Sequence, residues 1–194
     1  MSPRMGLTCE RVTMAAAELA DETGFANVTV SALARRLGVK DASLYSHVRN
    51  LRDLRVRVGV LATEEISDRI APAVAGLSGH RALAAFATAI RGYARDHPGR
   101  YAATQLRVAP AEWGDATGPR RAGELTLALL RGYDLEEPDA TDAVRLLRST
   151  VYGFIDIELT EGFAHPRELD ASWERILLAL HHTFTDWKNH ESTD

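Results

Sequence analysis

The feature that most constrains this chain is how little of it can form a strand. In 194 residues the only β-branched cluster is Val28, Thr29 and Val30. That is too short to build a sheet, and Ala, Leu, Arg and Glu dominate elsewhere. Apolar residues recur instead at spacings of three and four: Val12, Ala16 and Leu19; Val30, Leu33, Ala34 and Leu37; Leu51, Leu54, Val58 and Leu61. Such spacing is one apolar helix face after another, so the chain is predicted to be all-α.

Glycine, proline and capping residues divide it into about nine helical segments. The pattern predicts a helix over 8–23 stopped by Gly24, and a short one from Thr29 or Val30 closed by Gly38. A third over 42–47 takes Asp41 as its N-cap, and a longer fourth starts near Leu51 and ends before Pro72. Helices over 79–96, 100–108 and about 117–133 follow, broken at His97-Pro98-Gly99 and at Pro110, with Trp113 in a loop or early turn. The last two, over 139–161 and 170–189, are the most apolar. A domain seam is expected in the helix that begins at Leu51, giving an N-terminal domain over 1–52 and a C-terminal domain over 53–194.

Composition removes several classes. With 45% hydrophobic and 26% charged residues, the chain is neither disordered nor collagen-like nor disulfide-rich. No apolar run approaches the ~18 residues of a bilayer span, and no apolar leader segment stands near the N-terminus, so a cytoplasmic protein without membrane partners is expected. The single cysteine, Cys9, excludes an internal disulfide and any Cys-rich zinc site. His181 and His182 diverge by about 100° on a helix and cannot easily share an ion, so neither metal nor cofactor is expected. Nucleophile-elbow, phosphate-loop, zinc-protease and dinucleotide motifs are absent, which disfavours an enzyme.

The net charge of −4 taken alone argues against a polyanion partner. Its distribution argues the opposite. Residues 1–58 hold nine basic and six acidic side chains, and residues 59–194 hold fourteen and twenty-one, so the two parts carry +3 and −7. Within 31–58, Arg35, Arg36, Lys40, Arg49, Arg52, Arg55 and Arg57 face only Asp41 and Asp53, a local excess of +5. A basic N-terminal block on an acidic body is the asymmetry expected when one part meets nucleic acid. A solvated arginine-rich face would give the same count.

The block contains VSALARRLGVKDASLYSH, residues 30–47, which reads as two short helices around a turn at Gly38. Ala34 is small where the helices cross, and Gly38 supplies a positive φ. Leu33, Leu37, Val39 and Leu44 fill the wedge, leaving Lys40, Ala42, Ser43, Tyr45 and Ser46 outward. This is a helix-turn-helix, whose second helix is suited to a major groove. An ordinary αα-hairpin, serving a helical interaction module that binds an acidic protein, is the alternative.

The run TVSALARRLGVKDASLYSHVRNLRDL resembles the DNA-binding domain of the tetracycline-repressor (TetR) family. The resemblance implies a homodimer that places two recognition helices on a palindromic double-stranded DNA operator, and a helical C-terminal domain that dimerises and holds a small-molecule effector. It implies that Thr29, Tyr45 and His47 contact phosphates and that Lys40 and Ser43 lie near base edges. Arg36, Ala42 and Ser46 complete the expected DNA-facing set. Two positions depart from the family pattern: Val48 stands where Phe is common, and Leu51 where a phosphate-anchoring Lys is usual, with Arg49 or Arg52 as its candidate replacement.

VYGFIDIELTEGF and WERILLALHHTF resemble the WHG-type C-terminal domain of some of these regulators, with Tyr152 where that subset has His. The family reading makes Val151, Phe154, Ile155, Trp173, Ile176, Leu177, Leu180 and Phe184 the expected dimer face, as the apolar stripes of two helices that pair with their symmetry mates. Phe86, Ile90, Tyr93, Tyr101, Leu106, Trp113 and Leu127 are the expected effector-pocket residues. Together these imply a transcriptional repressor released from DNA by a ligand.

Overall fold

The computed structural model describes residues 6–187. Among them are ten α-helices: α1 (Cys9–Thr23), α2 (Val30–Leu37), α3 (Asp41–Leu44), α4 (Leu51–Val74), α5 (Gly79–Asp96), α6 (Pro98–Thr104), α7 (Pro110–Trp113), α8 (Gly118–Arg131), α9 (Asp139–Leu159) and α10 (Leu169–Thr185). A 3-10 turn, Phe25–Asn27, separates α1 from α2. The chain is all-α, with one more helix than the pattern predicts.

Local chemistry accounts for most boundaries. The Thr8 side chain caps α1 by accepting from the Arg11 N–H at 3.2 Å, and Thr29 caps α2 by accepting from the Ala32 N–H at 3.1 Å, each satisfying an orphan donor of the first turn. The extra helix is α7. Proline is compatible with a helix's first turn, where its missing N–H costs nothing, so Pro110 starts a helix where a break is expected. Pro72 likewise does not end α4, which runs on to Val74. It sits in the last turn, where it removes one backbone bond and little helix remains to be disrupted. The C-terminal end predicted for the last helix lies outside the described residues.

The packing divides into two compact units: the chain up to Glu65 with Asp96–Pro119, and Ile66–Arg95 with the chain from Arg120 on. α4 is shared by both. The first unit reaches past residue 52 because later segments pack on its early helices. α6 lies so close to α1 that a Cβ at Gly99 would stand 2.0 Å from the carbonyl of Ala20, and Asp21 accepts from the Arg100 backbone N–H at 2.9 Å.

In the second unit, α5 is joined to α9 and α10 through Arg91, which is only 4% exposed. Its guanidinium donates to Glu158 at 2.8 and 2.6 Å, pairs with Asp170 at 2.8 Å, and lies 5.3 Å from the Phe154 ring centroid and 5.1 Å from that of Trp173. Trp173 Nε1 donates to Thr88 at 3.1 Å, tying α10 to α5 again. This packing takes up the stripe expected to face a partner. Val151, Phe154, Ile155, Trp173, Leu177, Leu180 and Phe184 are buried within the single chain, and Ile176 alone of that set is half-buried. Periodicity identifies an apolar face but not which neighbour covers it.

Two outcomes follow from this packing. Gly99→Ala forces α6 off α1 and should destabilise the protein by about 1–3 kcal/mol or more, as overpacking does, read by urea denaturation. Arg91→Met removes two hydrogen bonds to the Glu158 carboxylate but leaves the one from Arg95 at 2.6 Å, so it should cost about 1.5–3 kcal/mol, as loss of charge-assisted hydrogen bonds does. Hydrogen bonds from Arg91 hold the Glu158 carboxyl below its ordinary value near 4.5. Its contribution is therefore complete above that value and is lost as pH falls through the depressed folded value. Arg91→Met should shrink this component of the acid arm of the stability–pH profile, leaving the part that Arg95 supplies.

Candidate nucleic-acid interface

The site is built by a helix too short to stand alone. α3 has four residues, continued by a turn in which the His47 and Val48 N–H groups both donate to the Leu44 carbonyl at 2.9 and 3.0 Å. Packing fixes it: Leu44 and Val48 are buried with Leu33 and Ala34 of α2 and Val12 and Ala16 of α1. Val48, where the family pattern often has Phe, is part of that core. Gly38 makes the turn at φ 67°, ψ 33°, a left-handed conformation that side chains resist. The Val39 N–H donates back to Ala34 at 3.0 Å, closing a Schellman cap. Asp41 is the first residue of α3 and not its N-cap, which is Lys40. The Asp41 carboxylate instead accepts from the Ser31 hydroxyl, locking α3 to the start of α2.

With Leu44 turned inward, Lys40, Ala42, Ser43, Tyr45 and Ser46 are exposed, Tyr45 by 55%. Thr29 and Arg49 are exposed nearby in sequence, while His47 is half-buried and its carbonyl accepts from the Cys9 thiol at 3.5 Å. The surface offers hydroxyls, an ammonium and a phenol on one rigid element. These groups can bond phosphate oxygens and base edges.

The arginines divide. Arg36 is turned onto α1, bound to Glu22 at 2.5 and 2.9 Å and to Glu18 at 3.0 Å. Arg52 donates to Glu112 at 3.0 and 3.1 Å and to the Arg107 carbonyl at 2.6 Å. This pairing, with the Ala109 N–H, lowers the Glu112 carboxyl to about 2. Arg55 donates to the Ala26 and Val28 carbonyls at 2.9 and 3.2 Å, and Arg57 pairs with Asp53 at 3.2 Å. Of the seven basic residues in the block, Arg35, Lys40 and Arg49 have side chains with neither an ion pair nor a hydrogen bond among the described residues, whereas Arg36, Arg52 and Arg57 are ion-paired and Arg55 bonds carbonyls. Arg35 is thus a cation that reading the motif missed. The spacing of Glu18 and Glu22, four apart on α1, is the sequence signal that could have withdrawn Arg36.

The expected effector residues are divided between the two units. Phe86, Ile90 and Tyr93 are buried on α5 in the second unit, whereas Tyr101 is buried in the first. Leu106 is half-buried in the first unit, Trp113 there is 38% exposed, and Leu127 in the second is 47% exposed. Among the described residues no group of three or more potential ligands could hold a metal ion, and no helix is long and apolar enough to cross a membrane.

An amphipathic pair of short helices, capped at Gly38 and presenting a polar face from α3, defines a helix-turn-helix DNA-binding protein. The family model for bacterial regulatory proteins of the tetR family matches residues 12–58, and that for the tetracyclin repressor-like C-terminal domain matches residues 83–180. The uncharacterized HTH-type transcriptional regulator YobS of Bacillus subtilis is 31% identical over 169 residues, covering 87% of this chain and 88% of its own length. A second uncharacterized HTH-type regulator, Rv0681 of Mycobacterium tuberculosis, is 32% identical over 175 residues, covering 90% and 80%. The chain belongs to the TetR family and is a helix-turn-helix transcriptional regulator, not an enzyme.

Solved structures share the fold. BioQ with its double-stranded DNA operator superposes with a TM-score of 0.69 at 23% identity over 93% of this chain and 99% of that one. A TetR variant from Acinetobacter baumannii in complex with minocycline gives 0.65 at 23% identity over 92% and 97%.

The Arg52–Glu112 pair yields a direct test. Glu112→Gln should release Arg52 toward phosphate, tightening binding to nonspecific duplex and steepening the dependence of log affinity on log salt by about one unit. Salt-titrated fluorescence anisotropy reads both.

Proposed function

We propose that this protein is a homodimeric repressor that binds a palindromic operator and is released by a small-molecule effector. The observation that carries the reading is the exposed face of α3, where Lys40, Ser43, Tyr45 and Ser46 stand outward while Leu44 anchors the helix beneath. DNA contacts then lie within residues 1–52 and response and dimerisation within 53–194. Lys40 and Ser43 take base edges, and Thr29, Tyr45, His47 and Arg49 take phosphates, with Arg35 added. Arg52 joins them only when Glu112 yields. BioQ, which has this fold, was solved on its operator, and the TetR variant was solved with minocycline; both support the reading by analogy.

α4 begins three residues after Val48 and continues into the second unit, so it is a covalent route by which an effector would reach the DNA-binding helices. Only a ligand with different affinities for two states can move that equilibrium. A coupling of about 1–3 kcal/mol would weaken operator binding roughly 5- to 150-fold. Symmetric half-sites lie about 34–36 Å apart. Because the inner stripes of α9 and α10 are used inside the chain, the dimer face falls to their outer sides. There Ile157 is 43% exposed beside the small residues Ser149 and Gly153 on α9, with Ala179 on α10. Val151-Tyr152-Gly153-Phe154 supports a C-terminal domain of the WHG type, and the protein acts in the cytoplasm.

Selection of bound duplex from a random pool should return a palindrome, and footprinting should find it upstream of this protein's own gene. Against that site, Tyr45→Phe should weaken binding to all sequences alike. Lys40→Ala and Ser43→Ala should cost about 1–3 kcal/mol and also relax base preference. Unchanged affinity in all three variants would remove α3 from the interface. Ile157→Asp should shift the protein toward monomer in analytical ultracentrifugation.

A further inference from the structure

A crevice of about 400 Å³ opens in the second unit where the 160–168 loop folds over α9 and α10. None of the residues expected to line an effector pocket is in its lining. Phe154, Phe163, Leu169 and Ile176 give it an apolar interior, and its volume falls in the range of about 300–1,000 Å³ usual for small-molecule sites. The loop leaves α9 by a fixed route: Glu161 adopts φ 53°, and the Gly162 N–H donates to the Ile157 carbonyl at 2.8 Å. Phe154 packs at a tilt against both Phe163 and Trp173, with ring centroids 4.9 Å apart in each case.

The lining also contains Arg167 and His165. The Arg167 guanidinium makes no ion pair among the described residues, although Glu161 and Glu168 lie in the same loop. His165 Nδ1 accepts from the Arg167 backbone N–H at 3.1 Å, which places the proton of the neutral ring on Nε2 and makes it a donor. An apolar interior with two donors, one permanently cationic, complements a molecule with an aromatic or aliphatic body and one anionic end.

We propose that the crevice beneath the α9–α10 loop binds a small amphipathic carboxylate, its body against Phe154 and Phe163 and its carboxylate at Arg167, with His165 Nε2 as second donor. Phe154 also lies beneath the Arg91 guanidinium, so an occupant touches one of the two rings packed on the α5–α9–α10 ion cluster.

Isothermal titration with phenylbutyrate, and with phenylbutyramide as the uncharged isostere, tests this. The acid should bind saturably at one site per chain and about tenfold more tightly than the amide, as a charge-assisted contact requires. Arg167→Gln, which breaks no ion pair and should melt like the parent, should weaken the acid to the level of the amide and leave the amide unchanged. Ala164→Trp should fill the crevice and abolish both. Absence of saturable binding, equal affinity for acid and amide, or binding that survives both substitutions would overturn the proposal. The assay contains no DNA, so its failure leaves the operator reading standing, and failure to bind an operator leaves the crevice result intact.

Discussion

The burial of Leu44 and Val48 against α1 and α2 is the constraint on which the DNA-binding unit depends. A helix of four residues cannot offset its nucleation cost, so α3 exists because its one apolar side chain is enclosed by Leu33, Ala34, Val12 and Ala16. The same enclosure decides what faces outward. On so short a helix, fixing Leu44 inward leaves Lys40, Ser43 and Tyr45 no alternative to solvent, and a rigid hydrophobic wedge becomes a rigid polar surface. The Gly38 turn and the Ser31–Asp41 bond set its angle to α2.

Electrostatics then refines the surface. The excess of +5 over residues 31–58 is real as a count, yet four of its seven cations are engaged inside the protein. Glu18, Glu22 and Glu112 come from outside that window, and counting within it could not include them. The exposed charge is therefore smaller and more localised than the sequence implies, concentrated in Arg35, Lys40 and Arg49. The pairing of Arg52 with a residue sixty positions away also shows why the first unit includes the segment up to Pro119.

In the C-terminal half the organising contact is the Arg91 cage. An arginine in the middle of α5 gives no sequence sign that it will be buried between two aromatic rings and bonded twice to Glu158. Its placement draws Phe154 and Trp173 inward and commits the inner stripes of α9 and α10 to the chain's own core. Ile157, on the outer side of α9, is left 43% exposed. The same inward turn of Phe154 leaves a face that the 160–168 loop only partly covers, and the crevice arises there.

The all-α class, the helix-turn-helix with its glycine turn, most helix boundaries and the outward set on α3 follow from local periodicity, capping and φ preference, and so are legible in the residues alone. Tertiary structure alone decided which cations are free, which apolar stripes are core, how far the first unit extends, and that Pro110 begins a helix while Pro72 rides within one. The reason is physical. Periodicity records that a face must be covered, and a charge records that it must be solvated or paired, but the neighbour that does either is chosen by residues distant in the chain.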